Sequence, residues 1–261
     1  VLDPSALGNA SLAFISFSLC ASAGYLVNDI LDLAADRLHP VKQYRPLAAG
    51  ELSTTKGAAG IPLLLVAALI VAVFLPLRYL AVLSLYFLLS VVYSWRLKRA
   101  VILDVLVLAA FYTLRIIAGG AATETLVSFW LLAFSMFLFL SLGLVKRYAE
   151  LMHLVNAGRD RPPRRGYQAV DIETLAQLGS ASAFMSVLVL ALYINSEAVQ
   201  ALYSNPEVIW LLCPLLLYML GRVWLLARRG ELQEDPLVFL LQDRCNQLLV
   251  LVGILLLWTA A

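Results

Sequence analysis

The sequence predicts an all-α fold, a polytopic membrane bundle of about eight transmembrane helices. Of its 261 residues, 62% are hydrophobic and only 14% are charged, which is far too apolar for a water-soluble domain of this length. Apolar runs of roughly 17 to 20 residues recur along the chain, the length that crosses a hydrocarbon core of about 30 Å. Basic residues concentrate in every second connection between these runs, as in membrane proteins generally. We therefore expect residues 1–261 to form a single transmembrane domain.

The first four apolar runs are separated by polar or turn-forming segments. The first run gives way to the polar segment Asn28–Gly60, the second to a turn that contains Pro76, and the third to basic residues after Trp95. Such segments mark the points at which membrane helices end. The predicted spans are Ser11–Val27, Ile61–Leu77, Tyr79–Trp95 and Val101–Gly119.

The last four runs are separated in the same way. A short turn over Gly119–Thr125 precedes the fifth run, and the long polar segment Lys146–Thr174 follows it. The eighth run is short and follows a polar stretch, so Leu237–Leu241 is a candidate extension of it. The predicted spans are Val127–Val145, Leu175–Tyr193, Val208–Leu226 and Asn246–Trp258.

Eight spans place alternate connections on the same side of the membrane, so the basic residues test the topology. Of the 19 Lys and Arg residues, the connections on one side hold most, whereas those on the other side hold only Arg78. The positive-inside rule then identifies the basic side as cytoplasmic. We expect an integral protein of a bacterial cytoplasmic membrane, with its active site on the cytoplasmic face. The basic-side residues are Arg37, Lys42, Arg45, Lys56, Arg96, Lys98, Arg99, Lys146, Arg147, Arg159, Arg161, Arg164, Arg165, Arg228 and Arg229.

An acidic motif continues the first apolar run without a break. In a helix, Asn28, Asp32 and Asp36 lie at i, i+4 and i+8, and Asp29 lies three residues before Asp32, so all four share one stripe. Carboxylates so close together repel one another unless a cation is present, and oxygen ligands suit Mg²⁺. We expect Asn28, Asp29, Asp32 and Asp36 to bind Mg²⁺, with Asp29 and Asp32 catalytic. The alternative is a solvated helix end whose Asp residues cap or solubilise the connection.

Basic residues follow the acidic motif within a few positions. Arg37, Lys42 and Arg45 lie in a segment that Pro40 and Pro46 stiffen. Carboxylates that hold Mg²⁺ next to cations that hold phosphate oxygens would bind a diphosphate. The alternative interpretation of these cations is ordinary cytoplasmic-side charge.

These residues resemble the UbiA superfamily of intramembrane prenyltransferases, whose first signature is an N-D-x-x-D-x-x-x-D helix end followed by a basic segment containing Arg-Pro. The resemblance extends to Tyr93–Lys98 after the third span and to Asp104 in the fourth. It implies that Tyr93, Lys98 and Asp104 join Arg37, Lys42 and Arg45 in binding the donor diphosphate. The family usually has nine helices and its motif closes the second, so we expect the family's first helix to have no counterpart here.

The end of the fifth span departs from the usual family pattern. Members that use prenyl diphosphates usually carry a second Asp-rich motif there, whereas this chain has Lys146 and Arg147, followed by Glu150. This pattern, together with His39-Pro40, Lys42, Arg45-Pro46 and Ala48-Ala49-Gly50, resembles the decaprenyl-phosphate phosphoribosyltransferase branch. The resemblance implies that Lys146, Arg147 and Glu150 hold the phosphate of a lipid acceptor.

The resemblance implies a Mg²⁺-dependent enzyme of cell-wall precursor synthesis. It would transfer 5-phosphoribose from phosphoribosyl diphosphate to a polyprenyl phosphate in the bilayer, with no nucleic-acid partner. One alternative is an aromatic prenyltransferase of the same superfamily, which would use an isoprenyl diphosphate and predicts a second acidic site. Another is a non-catalytic transporter, which predicts broken helices near the midplane and paired repeats. The oligomeric state is left open.

Overall fold

The computed structural model describes residues 4–38, 41–156, 166–197, 199, 203–232 and 235–260, and their regular secondary structure is helical. Three short 3₁₀ helices, Lys42–Tyr44, Leu97–Arg99 and Ala169–Asp171, lie between longer helices. The α-helices are α1 (Pro4–Asp36), α2 (Thr54–Ala72), α3 (Leu77–Trp95), α4 (Leu103–Thr123), α5 (Phe129–Asn156), α6 (Ile172–Ile194), α7 (Pro206–Ile209), α8 (Leu212–Arg228), α9 (Pro236–Gln242) and α10 (Arg244–Ala260). The predicted all-α fold is confirmed.

The described residues contain seven helical segments long and apolar enough to cross a membrane, or eight if a bent pair forms one span. The bent pair is α9 with α10, whose axes differ by 75°. Leu237–Leu241 therefore belongs to a separate short helix and does not lengthen α10 in a straight line. The predicted number of spans is confirmed within this range.

Two helices extend well past their predicted apolar runs. Helix α1 continues beyond Val27 to Asp36, and α5 continues beyond Val145 to Asn156. Neither extension contains proline or glycine, so nothing in the local sequence ends the helix. The predicted site residues on α1 and α5 consequently lie on the polar ends of long, continuous helices.

The chain divides into two compact units. The first comprises residues 1–107 and 113–127, and the second comprises residues 108–112 and 128–261. In the first unit α1 packs against α2 and α3. The buried Ser16 hydroxyl donates to the carbonyl oxygen of Ala68 at 2.9 Å, and the Tyr79 hydroxyl donates to that of Ala13 at the same distance. These bonds hold α2 and α3 against α1, the helix that carries the acidic motif.

In the second unit α5 packs along α6, and α8 packs against both. The indole of Trp224 on α8 approaches Gly179 on α6 so closely that an added Cβ would lie 2.0 Å from the ring. The Trp224 Nε1–H donates to the Ser141 hydroxyl at 3.0 Å, and that hydroxyl donates to the Gly179 carbonyl at 2.8 Å. A chain of hydrogen bonds therefore joins all three helices.

Candidate active site

The acidic motif lies on the last turns of α1, and its members pair with cations from two other segments. The helical spacing expected from the sequence is present because α1 is continuous to Asp36. Asp29 and Asp36 bind Arg45, whereas Asn28 and Asp32 bind Lys98. The motif is thus divided between two basic partners within the first unit.

Arg45 lies just after the short 3₁₀ helix Lys42–Tyr44. Its Nη1 donates to Asp29 Oδ1 at 2.8 Å and to Asp36 Oδ2 at 2.9 Å. Asp36 is buried, so an unpaired charge there would be costly, and Arg45 offsets that cost. The sequence predicted that Arg45 binds phosphate; the structure shows it bound to carboxylates of the motif.

Lys98 lies in the 3₁₀ helix Leu97–Arg99, between α3 and α4, and its side chain is buried. Its ammonium nitrogen is 2.6 Å from Asp32 Oδ2 and 3.1 Å from Asn28 Oδ1. A buried ammonium needs such oxygen partners because it cannot be solvated by water. Lys98 therefore connects the α3–α4 segment to the acidic end of α1.

A tight turn follows Lys98 and starts α4. Ile102 has φ +66° and ψ −44°, and the Leu103 N–H donates to the Val101 carbonyl at 2.7 Å, which is the arrangement of a γ-turn. A β-branched residue rarely adopts positive φ, so the backbone is strained here. Asp104, in the first turn of α4, is completely buried. The turn thus sets where the helix carrying this predicted site residue begins.

The other predicted donor-binding residues follow the acidic helix end or precede Lys98 along the chain. Arg37 directly follows α1 and is exposed, Lys42 begins the first 3₁₀ helix, and Tyr93 lies in the last turn of α3. His39 and Pro40 fall outside the described residues.

The oxygen donors of the motif suit Mg²⁺ chemically. Three carboxylates face two cations here, so the group has a surplus negative charge that a divalent ion can balance. The described part of the chain contains no group of three or more His, Cys, Asp or Glu residues placed to hold one ion. The donor chemistry therefore fits Mg²⁺, and binding the ion requires Arg45 or Lys98 to release a carboxylate.

The predicted acceptor residues lie on the polar extension of α5, in the second unit. Lys146 forms an ion pair with Asp235, and Arg147, which is buried, binds Glu150 Oε2 through Nη1 at 2.7 Å. The two cations expected to attract a lipid phosphate are therefore each paired with a carboxylate.

Asp235 is a candidate functional residue for which the sequence indicated only a polar segment with a loop or gating role, and no partner. The Asp235-Pro236 pair indicates a helix start, because Asp is a favourable N-cap and Pro is favourable in the first turn. That local signal identifies the cap and carries no information about its distant partner, Lys146.

Two cavities border α8 or α9 in the second unit. One, of about 50 Å³, is lined by both members of the Lys146–Asp235 pair and by apolar side chains of α4, α5 and α9. The other, of about 570 Å³, is an open groove beside Trp224 that Arg228 and Arg229 border. Only the smaller cavity includes a residue of the predicted site.

Comparison with protein families identifies one match across nearly the whole chain. The model of the UbiA prenyltransferase family matches residues 2–244.

Three curated relatives differ in how much of their own length this chain covers. An uncharacterised protein, y4nM, of Sinorhizobium fredii is 38% identical over 94% of this chain and 48% of its own length. The nodulation protein NoeC of Azorhizobium caulinodans is 32% identical over 92% of this chain and 78% of its own. The decaprenyl-phosphate phosphoribosyltransferase of Mycobacterium tuberculosis is 39% identical over 56% of this chain and 48% of its own. The chain thus spans about half the length of the first of these relatives.

Solved structures share the fold. A homologue from Archaeoglobus fulgidus, solved with geranyl diphosphate and Mg²⁺, matches 97% of this chain and 89% of its own with a TM-score of 0.72 at 18% identity. At that identity the likeness concerns the fold.

Proposed function

Since this chain belongs to the UbiA prenyltransferase family, we propose that it transfers 5-phosphoribose from phosphoribosyl diphosphate to a polyprenyl phosphate in the membrane. Family membership confirms the resemblance inferred from the acidic motif. The observation that carries the proposal is the meeting of Arg45 and Lys98, from two separate connecting segments, at the acidic end of α1. Carboxylates for a metal and cations for phosphate oxygens are thereby gathered at one helix end.

Asn28, Asp29, Asp32 and Asp36 would hold Mg²⁺ in this proposal. The Mg²⁺ in the homologous structure and the oxygen-only donor set here support that assignment. Bound there, the ion supplies neutralisation of the negative charge on the departing diphosphate.

Arg45 and Lys98 would exchange their carboxylate partners for phosphate oxygens when the donor arrives. An arginine binds phosphate in a planar, two-pronged fashion, whereas a lysine acts as a point charge. Arg37 and Lys42 follow the acidic helix end in sequence, and Tyr93 and Asp104 flank Lys98; we assign them to donor binding on that basis. The carboxylates would then stabilise positive charge that develops on the sugar ring.

The transfer itself needs no strong base. The bond between the anomeric carbon and the diphosphate oxygen breaks, and a bond forms from that carbon to an oxygen of the lipid phosphate, which is already an anion. The diphosphate leaves with the bonding electron pair. Direct attack predicts inversion at the anomeric carbon.

The choice of ribose over prenyl donor rests on the α5 end and on named relatives. Lys146 and Arg147 replace the usual second acidic motif, and Glu150 pairs with Arg147. The relatives named decaprenyl-phosphate phosphoribosyltransferases match over about half of the chain. We therefore assign Lys146, Arg147 and Glu150 to the acceptor phosphate.

The second candidate is transfer of an isoprenyl group to an aromatic acceptor. It is favoured by the homologous structures, which were solved with dimethylallyl or geranyl diphosphate and Mg²⁺.

The deciding experiment uses the purified full-length protein with Mg²⁺ in lipid. One reaction contains labelled phosphoribosyl diphosphate and polyprenyl phosphate; the other contains polyprenyl diphosphate and labelled 4-hydroxybenzoate. Label in the lipid fraction of the first reaction alone is the expected result. Label only in the second would establish the aromatic prenyltransferase, and label in neither would exclude both activities with these substrates.

A further inference from the structure

An ion pair lies at each end of helix α9, and the carboxylate of each pair also caps a helix. At its start, Asp235 binds Lys146 on α5, and its Oδ1 accepts from the Leu237 N–H at 3.0 Å. At its end, Asp243 binds Arg222 on α8 through two bonds of 2.6 and 3.0 Å, and accepts from the Asn246 N–H at 3.0 Å. The two ends are built alike, yet only one of them involves a cation assigned to the acceptor.

The cavity of about 50 Å³ beside Lys146 has apolar walls and one ion pair. Apart from Lys146 and Asp235 its lining is uncharged: Leu108, Tyr112, Phe139, Leu142, Gly143, Pro236 and Leu237. Tyr112 and Phe139 stack with their ring centres 4.2 Å apart. The cavity is far smaller than the roughly 300–1,000 Å³ of ligand pockets, so it offers an anionic head a contact beside the cation and does not hold a lipid tail.

The charges around Lys146 are balanced as the structure stands. Asp235 neutralises Lys146, and Glu150 neutralises Arg147, so the four side chains together carry no net charge. A phosphate monoester gains little attraction from such a group while Asp235 remains paired. The Lys146 and Asp235 side chains are 39% and 34% exposed, and pairs this accessible to water separate at little cost.

We propose that Asp235 controls access of the acceptor phosphate to Lys146. Its carboxylate pairs with the Lys146 ammonium when the lipid is absent and releases the ammonium when the phosphate binds. This inference rests on the proposed function, in which Lys146 binds the acceptor. Asp235 can release Lys146 and still cap α9 through the Leu237 N–H. The Arg222–Asp243 pair meanwhile keeps the other end of α9 in place.

The test measures binding of a polyprenyl phosphate to the full-length protein in nanodiscs, by native mass spectrometry without donor. In Asp235→Asn the amide still caps α9 but no longer competes for Lys146. We expect a Kd about fivefold lower than that of the unaltered protein, the range expected for loss of one half-exposed ion pair. Asp235→Ser, in which the serine also caps the helix, should lower the Kd by a similar factor.

The matched control is Asp243→Asn, which removes the same charge at the other end of α9 and likewise preserves a cap. Its Kd for polyprenyl phosphate should equal that of the unaltered protein. An equal decrease of the Kd in both variants would show that loss of any negative charge near α9 is sufficient to tighten lipid binding. That result would overturn the role of Asp235.

A double-mutant cycle separates this inference from the proposed function. Lys146→Gln should weaken binding, and adding Asp235→Asn to it should change nothing further, because the competition no longer exists. Unchanged binding in Lys146→Gln would remove the acceptor assignment itself. Weakened binding in Lys146→Gln with unchanged or weaker binding in Asp235→Asn would overturn only the control by Asp235.

Discussion

A single guanidinium nitrogen, Arg45 Nη1, binds two carboxylates of the acidic motif. Without it, Asp29 and Asp36 would face each other with no cation between them, and Asp36 is 93% buried at its side chain. A lysine offers a compact point charge and lacks the planar geometry of the guanidinium. Arg45 therefore has a structural role at this helix end in addition to its proposed contact with the donor.

Replacing Arg45 with alanine should destabilise the protein. Because the Arg45 side chain is 39% exposed, we expect a loss of about 1–2 kcal/mol in the free energy of unfolding, below the value for a fully buried pair. Thermal unfolding in detergent measures it. Arg99→Ala is the control, since Arg99 is exposed on the same basic face. Equal melting temperatures for the two variants would mean that the Arg45 contacts contribute nothing.

Replacing Asp29 or Asp32 with asparagine should abolish turnover with the fold retained. Each change removes one negative charge from the proposed metal site at nearly constant volume. We expect label transfer to fall at least about 100-fold, with an unaltered far-UV circular dichroism spectrum. Glu51→Gln, at an exposed position on the segment that follows α1, should transfer label normally. Near-normal transfer by either Asp variant would remove the metal assignment.

At the scale of elements, the local sequence specifies where the helices lie but not how they are joined. Continuous helix through Asp36 was predictable, because nothing between Val27 and Asp36 breaks a helix. The positive φ of Ile102 was not, since a β-branched residue gives no signal for that conformation. Nor was the 75° bend between α9 and α10, which separates Leu237–Leu241 from the last span.

The contact between α6 and α8 depends on the missing side chain of Gly179. An added Cβ there would lie 2.0 Å from the Trp224 ring and 3.0 Å from Leu144 Cβ, so Gly179→Ala should cost about 1–3 kcal/mol of stability. Gly221→Ala is the matched control, because nothing lies within 4 Å of its Cβ position. The control should be neutral or slightly stabilising, as alanine favours helix. Thermal unfolding compares the two; a control that melts as early as Gly179→Ala would contradict the packing argument.

At the scale of the whole molecule, the length of the apolar segments predicted the helical class and the number of spans. The i, i+4, i+8 spacing likewise predicted that the acidic residues share one helix end. Two of the ion pairs were beyond prediction, because Lys98 is 66 residues from its partner Asp32 and Asp235 is 89 residues from its partner Lys146. A single sequence carries no signal for such pairs.

The proposed topology places the acidic motif and the basic connections in the cytoplasm. In a background with all three native cysteines replaced, Glu51→Cys should react with a membrane-impermeant maleimide in inside-out vesicles and Arg78→Cys in right-side-out vesicles. Both positions are exposed. Labelling of both from the same side would show that the predicted number of spans between them is wrong.

The pairing of every carboxylate of the motif with one of the chain's own cations has a kinetic consequence. Arg45 or Lys98 must release a carboxylate before the donor and its metal can bind, so association would proceed in two steps, with an opening that precedes or accompanies capture. In a stopped-flow experiment the observed rate should rise with donor concentration and then level off at the opening rate. Between turnovers the site would be closed by its own three ion pairs, and the rate at which these pairs separate would limit association of the donor.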